Sequence, residues 1–67
     1  DLIVANIHFD VMQVLVDLPV FARCRSFVLS GQLPSQMEAL IARLKKSGRD
    51  IQERFSEDGT WQTCLGC

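Results

Sequence analysis

The sequence lacks any long apolar run and any large excess of charge of one sign. Its apolar stretches, such as residues 2–5 and 14–16, are far shorter than the roughly 20 residues that a helix needs to cross a bilayer. The net charge is −1 and the pI is about 5.6, so no excess of basic residues is present to attract nucleic acid. We therefore predict a protein that binds neither nucleic acid nor a membrane.

Cysteines are few, and their number is odd. Cys24, Cys64 and Cys67 cannot all pair within one chain, and a small secreted domain normally carries an even and denser set, so a reducing, cytoplasmic setting fits better. Cys64 and Cys67 have C-x-x-C spacing, yet a structural zinc needs four ligands and only Cys24 and His8 remain. A redox pair also needs a helix N-terminus to activate its thiol, whereas this pair ends a strand-like segment. We predict no metal site.

The chain is short, and its 67 residues allow at most one domain with a core worth only a few kcal/mol. It begins with Asp rather than Met, and no secretion-signal pattern precedes the first apolar stretch. We expect the chain to be part of a larger domain.

Two apolar stretches predict parallel strands. Residues 2–5 form a continuous run without alternation, which is typical of a strand covered on both faces, and we expect this strand to be central. Residues 26–29 predict a second strand, which ends at Ser30 and Gly31 much as the first ends at Asn6.

A helix is predicted after each of these strands. Asp10 is expected to cap the first helix and Pro19 to close it. The predicted apolar face of this helix consists of Val11, Val14, Leu15 and Leu18. A capping box at Ser35 and Glu38 predicts the start of the second helix, and Gly48 predicts its end. The predicted apolar face of the second helix consists of Met37, Leu40, Ile41 and Leu44.

The last segment predicts an antiparallel hairpin. In residues 51–55 the side chains of Ile51, Glu53 and Phe55 alternate with Gln52 and Arg54, and residues 56–59 have turn chemistry. In residues 61–65 the side chains of Trp61, Thr63 and Leu65 alternate with Gln62 and Cys64. Trp61 is interpreted as a packing residue of this hairpin. The predicted order is strand, helix, strand, helix, strand, strand, which indicates an α/β fold with right-handed crossovers that place both helices against the sheet.

Five stretches of this sequence together resemble a known family. They are D-L-I-V-A-N-I at residues 1–7, F-V-L-S-G-Q-L at 27–33, the following helix with Gln36 in its first turn, K-K-S-G at 45–48, and E-D-G-T-W-Q-T at 57–63. This series is similar to the C-terminal half of class I S-adenosylmethionine-dependent methyltransferases. Within that class it most resembles the ribosomal-protein lysine methyltransferases.

The resemblance implies strands four to seven of a Rossmann-like, seven-stranded sheet whose last strand is antiparallel. Residues 1–67 would then be a partial methyltransferase domain without its N-terminal cofactor-binding half, which carries a glycine-rich loop and an acidic residue. No glycine here belongs to a G-x-G pattern, so we expect the isolated chain to be inactive. Two departures stand out: Ile7 replaces the Pro of N-P-P-Y enzymes, and residues 22–25 replace the usual Pro-Gly-Gly turn.

The candidate site residues follow the two predicted parallel strands, where ligands bind in open α/β sheets. By resemblance, Asn6 would accept a hydrogen bond from the substrate amine and, with Ile7, contact S-adenosylmethionine; alternatively, Asn6 merely ends the strand. His8 is a candidate to accept a proton from the substrate, or it has no such task. Ser30 and Gly31 would shape the floor of the substrate pocket, or they form a plain turn.

Three functions remain open at this point. The leading hypothesis is a fragment of a methyltransferase that acts on protein amino groups, with a ribosomal protein as substrate. The second is a non-catalytic α/β interaction module that pairs through an exposed sheet edge, with self-association through the edge of the first strand. The third is a small-molecule methyltransferase of the same fold.

Overall fold

The computed structural model describes residues 1–56 and 59–67, and within them the chain forms three helices and one four-stranded sheet. The elements are β1 (Leu2–Asn6), α1 (Phe9–Asp17), α2 (Pro19–Arg23), β2 (Ser26–Gln32), α3 (Pro34–Lys46), β3 (Ile51–Ser56) and β4 (Gln62–Gly66). The strand order is β1-β2-β4-β3, with β1 parallel to β2, and with β4 antiparallel to both β2 and β3. The prediction of an α/β domain with two parallel strands and a terminal antiparallel hairpin is confirmed.

The core lies between the helices and one face of the sheet. Its buried side chains are Met12, Phe21, Cys24, Phe27, Leu29, Met37, Leu40, Leu44 and Cys64. Each large apolar side chain in such a core contributes roughly 1.5–3 kcal/mol through its removal from water. Because all three helices contribute to this one cluster, the opposite face of the sheet has no helix over it in the described part of the chain.

The prediction that the first strand is central and covered on both faces is wrong for this chain. β1 lies at the edge of the sheet, where its Leu2 and Val4 side chains are 61% and 66% exposed. Ile3 and Ala5 pack against the core instead. Successive side chains of a strand point to opposite faces, and here only one face is covered, so a continuous apolar run leaves half of its members exposed.

Helix α1 turns a different face to the core from the one we predicted. Val11 and Val14 are exposed, whereas Met12 is buried and Leu15 and Val16 are partly buried. The helix is apolar on both sides, so two stripes have helical spacing and only packing selects between them.

The ends of α1 also differ in part from the prediction. Asp10 lies in the first turn and makes no side-chain cap, because α1 begins at Phe9 after His8. The helix ends at Asp17, close to the end near Leu18 that Pro19 predicted, but Pro19 itself opens the short helix α2. Proline suits the first turn of a helix because its missing N–H has no partner there.

Helix α3 packs as predicted but begins differently. Met37, Leu40 and Leu44 are buried, and Ile41 packs against them, so the predicted stripe is confirmed. The Leu33 N–H donates to Gln36 Oε1 at 2.9 Å, in place of the predicted cap at Ser35. With Pro34 as its first residue, the helix begins two residues too early for Ser35 to cap it. Gly48 follows the helix with a φ of +91°, as a C-terminal glycine does.

The hairpin forms, and Trp61, interpreted as one of its packing residues, lies outside the buried core cluster. Trp61 precedes β4 and is 52% exposed, and the β4 side chain that enters the core is Cys64. The alternation in β4 therefore has the opposite sense from the one expected. Glu57 and Asp58 of the predicted turn lie outside the described residues.

Arg49 joins the segment before β3 to the end of α2. Its guanidinium donates to the Phe21 carbonyl at 2.8 Å and to the Cys24 carbonyl at 2.9 Å. The same group lies 5.0 Å and 4.9 Å from the ring centroids of Phe21 and Phe27. A planar group with several donors satisfies both carbonyls while stacking on the rings, so Arg49 fixes one end of the core.

Candidate functional site

A cavity of about 750 Å³ lies at the carboxyl ends of β1 and β2. All five residues predicted for the site line it: Asn6, Ile7, His8, Ser30 and Gly31. The starts of α1 and α3 and the β4 end of the hairpin provide the remaining lining residues, which are Phe9, Asp10, Leu33, Gln36, Trp61 and Thr63. The sheet therefore brings together two stretches that are far apart in sequence, in the place where open α/β sheets bind ligands.

In this cavity the side chain of Asn6 lies against the backbone of Gly31. Asn6 pairs with Ser30 in the last register position of the β1–β2 ladder. Gly31 comes next, with a φ of +83°, and a Cβ added to it would overlap the side-chain oxygen of Asn6. The missing side chain of Gly31 thus makes the space in which the Asn6 amide lies.

Gln32 is a residue that the sequence analysis did not identify as part of this region. It is completely buried, and its Nε2 donates to the Ile7 carbonyl at 2.7 Å and to the Ser30 carbonyl at 3.2 Å. The strand was expected to stop at Ser30 and Gly31, but β2 continues to Gln32 through an irregularity between Ser30 and Gln32.

This irregularity explains why Gln32 faces inward. Phe27 and Leu29 are buried, and simple alternation would place Gly31 on the same face, but one extra residue in the strand moves Gln32 there instead. A glycine inside a strand-like run often indicates a bulge, so Gly31 was the available sequence signal.

His8 and Asp10 stand where β1 passes into α1. The His8 carbonyl accepts the Met12 N–H at 2.8 Å, which fixes the backbone at the start of the helix, and the His8 side chain is exposed. Asp10 is the acidic residue of the first turn of α1, where a negative charge is favoured by the helix dipole. Among the described lining residues Asp10 is the only Asp, Glu, Lys or Arg, so the cavity suits neutral or cationic groups better than anions.

The cysteines lie apart from this cavity. Burial raises the pKa of the Cys64 thiol to about 11, an effect partly offset by a backbone hydrogen bond from Leu29 and by the charge of Arg54. Cys64 is therefore protonated at neutral pH and poorly suited to bind a metal or act as a nucleophile. Cys24 is buried and Cys67 is exposed. Across residues 1–56 and 59–67, no three His, Cys, Asp or Glu side chains are grouped so that they could hold a metal ion.

Comparison with known proteins provides no relative from which a function could be inferred, so any function must be argued from the geometry of the cavity. No protein-family model, no curated protein and no solved structure matches this chain. In the described part of the chain, no helix has both the length and the apolar character required to span a membrane.

Proposed function

We propose that this chain is the C-terminal part of a cytoplasmic class I methyltransferase that transfers methyl groups from S-adenosylmethionine to amino groups of a protein, in the manner of the ribosomal-protein lysine methyltransferases. One observation carries the proposal. The residues that the resemblance assigns to the site, from Asn6 to His8 and at Ser30 and Gly31, line a single cavity at the carboxyl ends of the parallel strands.

The arrangement of the strands gives further support. The resemblance implies strands four to seven of the family sheet, the last of them antiparallel, and β4 runs antiparallel to its neighbour β2. β1 has an unpaired outer edge in the described structure, so another strand has room to lie beside it. Residues 1–67 would then form one half of the domain.

The cavity also suits the reactive part of the proposed cofactor. S-adenosylmethionine carries a cationic sulfonium, and no Lys or Arg is among the described residues that line the cavity. Asn6 and Ile7 are the residues of this chain that would contact the cofactor, which supplies an electrophilic methyl group when bound. Its methionine and ribose portions would be held by residues outside this chain.

The chemistry required of this chain is mainly positioning. The Asn6 side-chain oxygen accepts a hydrogen bond from the substrate amine and so directs the nitrogen lone pair along the line of displacement. His8 accepts the proton that an ammonium substrate must lose before it can attack. Ser30 and Gly31 form the floor against which the Asn6 amide is held.

Titration of the isolated chain with S-adenosylmethionine is the first experiment. We expect no binding tighter than the millimolar range, about −4 kcal/mol, because the glycine-rich loop is missing from these residues. Micromolar binding in a calorimeter would show that the cofactor site has been placed wrongly.

The decisive experiment measures single-turnover transfer of a labelled methyl group to ribosomal proteins by the full-length gene product. Asn6→Ala should slow transfer by roughly ten- to a thousandfold while changing cofactor affinity much less, because the amide acts on the approaching amine. Asn6→Asp should also be impaired, with partial recovery at high pH, because a carboxylate retains the amine as an ammonium. Ser35→Ala, at an exposed position that does not line the cavity, is the matched control. Unchanged transfer by both folded Asn6 variants would leave Asn6 as a strand end only.

The acceptor assayed separates the proposal from the third hypothesis, a small-molecule methyltransferase of the same fold. Both make the same predictions for Asn6. Transfer to small amines and acids but to no ribosomal protein would favour the small-molecule enzyme.

A second candidate function, a non-catalytic interaction module, is favoured by the edge of the sheet. β1 carries no charged side chain, and both Leu2 and Val4 are well exposed beside that edge. Such an edge is open to pairing with another strand, including β1 of a second copy. Val4→Lys should abolish a dimer seen by sedimentation if this pairing occurs, and a monomer at all concentrations would contradict self-association.

A further inference from the structure

Among the described residues, Gln32 is the polar residue that is buried, and none of its surface is exposed. Its Oε1 has no hydrogen-bond partner, whereas its Nε2 contacts the Ile7 and Ser30 carbonyls. Rotating the amide by half a turn would place Oε1 against two carbonyl oxygens, so these two acceptors determine its orientation. A buried amide with an unpaired oxygen costs free energy that an aliphatic side chain would not, so a specific role is expected of it.

The bond to Ile7 extends the link between the two parallel strands beyond their ladder. The register of β1 and β2 ends at Asn6 and Ser30, and Ile7 follows the last residue of β1. Gln32 is thus a side chain of β2 that reaches across to the first residue after β1. Because the Ile7 carbonyl lies between the Cα atoms of Ile7 and His8, this bond restrains the backbone that carries the cavity-lining residues.

We propose that Gln32 is a positioning residue, which holds the carbonyl of Ile7 and thereby fixes Asn6 and His8 in the orientation that methyl transfer requires. Its catalytic consequence rests on the proposed function, whereas the restraint of residues 6–8 does not. Gln32 itself does not line the cavity and acts only through the backbone it holds.

The first test uses hydrogen exchange in the full-length gene product. In the unmodified protein, the side-chain amide protons of Gln32 should exchange at least tenfold more slowly than those of the exposed Gln52. Gln32→Met has similar length but no donor, and it should raise the exchange of backbone amides in residues 6–8 at least tenfold relative to residues 27–29. Leu44→Val, a buried change at the far end of α3, should lower overall stability and leave this ratio unchanged.

The second test separates positioning from general stability. Gln32→Met should lower kcat for methyl transfer by about tenfold with little change in the KM for S-adenosylmethionine, whereas Leu44→Val should change neither. Rapid exchange of the Gln32 amide in the unmodified protein, an unchanged exchange ratio in Gln32→Met, or an unchanged kcat would each overturn the proposal. If the unmodified protein transfers no methyl group to any acceptor, the proposed function fails, and the exchange ratio still decides whether Gln32 restrains residues 6–8.

Discussion

Replacing Gly31 by alanine tests whether the position of the Asn6 side chain depends on the space that the glycine leaves beside it. Two costs are expected. The φ of +83° lies in the left-handed region, where an L-residue is disfavoured by about 1–2 kcal/mol. The new Cβ also overlaps the Asn6 side-chain oxygen, and moving that side chain off its preferred rotamer costs about 0.5–1.5 kcal/mol more. The free energy of unfolding should therefore fall by about 1.5–3.5 kcal/mol.

Gly48 provides a matched control for this substitution. Its φ is +91°, but a Cβ there would meet no atom within 4 Å, so Gly48→Ala should show the backbone cost alone. Both variants are compared by urea denaturation, with the Asn6 side-chain amide followed by NMR. In an Asn6→Ala background, Gly31→Ala should cost no more than Gly48→Ala, a coupling of about 1 kcal/mol between positions 6 and 31. Equal costs for the two glycines in the unmodified background, or no coupling, would refute this account of the site.

Three further predictions concern residues outside the cavity. Burial raises the pKa of the Cys64 thiol from 9.0 to about 11, so the stability that this shift contributes is complete below pH 9 and is lost as the pH rises toward 11. At about 1.36 kcal/mol per pKa unit, this loss of stability is roughly 2–3 kcal/mol. The Cys64→Ala variant should not show the loss when its free energy of unfolding is measured against pH. Equal slopes for the variant and the unmodified protein between pH 9 and 11 would contradict the prediction. Arg49→Lys should lower the free energy of unfolding by about 1–3 kcal/mol, because an ammonium cannot donate to both carbonyls and also stack on the rings. The control Arg25→Lys, at an exposed position, should change the free energy of unfolding by less than about 0.5 kcal/mol in the same denaturation assay. The ion pair between Arg43 and Asp17 is exposed on both sides, so Arg43→Gln should cost less than about 1 kcal/mol, and a larger loss would show that solvent screens the pair poorly.

The spacing of apolar residues predicted a helix or strand correctly where only one arrangement of that element could bury them. The stripe of α3 and its glycine end were correct because its other face is polar, so one arrangement buries the apolar residues. In α1 the same reasoning selected Val11 and Val14, which are exposed, because Met12 begins an equally good stripe on the other side. The exposure of one face of β1, at Leu2 and Val4, was also missed, since a local run of apolar residues does not indicate how many layers cover a sheet.

The sequence predicted which strand ends form the site, but it did not predict the side-chain contacts within the site. The rule that ligands bind beyond parallel strands located Asn6 and Gly31 correctly in one cavity, because it depends only on strand direction. Gln32 was missed because its inward orientation depends on a strand irregularity that shifts the alternation by one residue. Trp61 was assigned to packing for the same kind of reason, since its alternation had two possible senses and the described structure exposes it at the cavity.

The stretch from Asn6 to His8 has the backbone restraints that the proposed positioning role requires. Loops that follow strands are usually more mobile than the strands, which would place a hydrogen-bond acceptor poorly. Here the backbone of Asn6 pairs with Ser30 in the strand ladder, and the carbonyls of Ile7 and His8 are each held by a further neighbour. The Asn6 side chain lies over the glycine of β2, the Ile7 carbonyl accepts from Gln32, and the His8 carbonyl accepts from the start of α1. A segment whose backbone is restrained at each residue presents the Asn6 side chain from one position before a substrate arrives, so less ordering would remain to be done in the proposed transfer. Loss of any one restraint should then slow the proposed transfer more than it weakens binding.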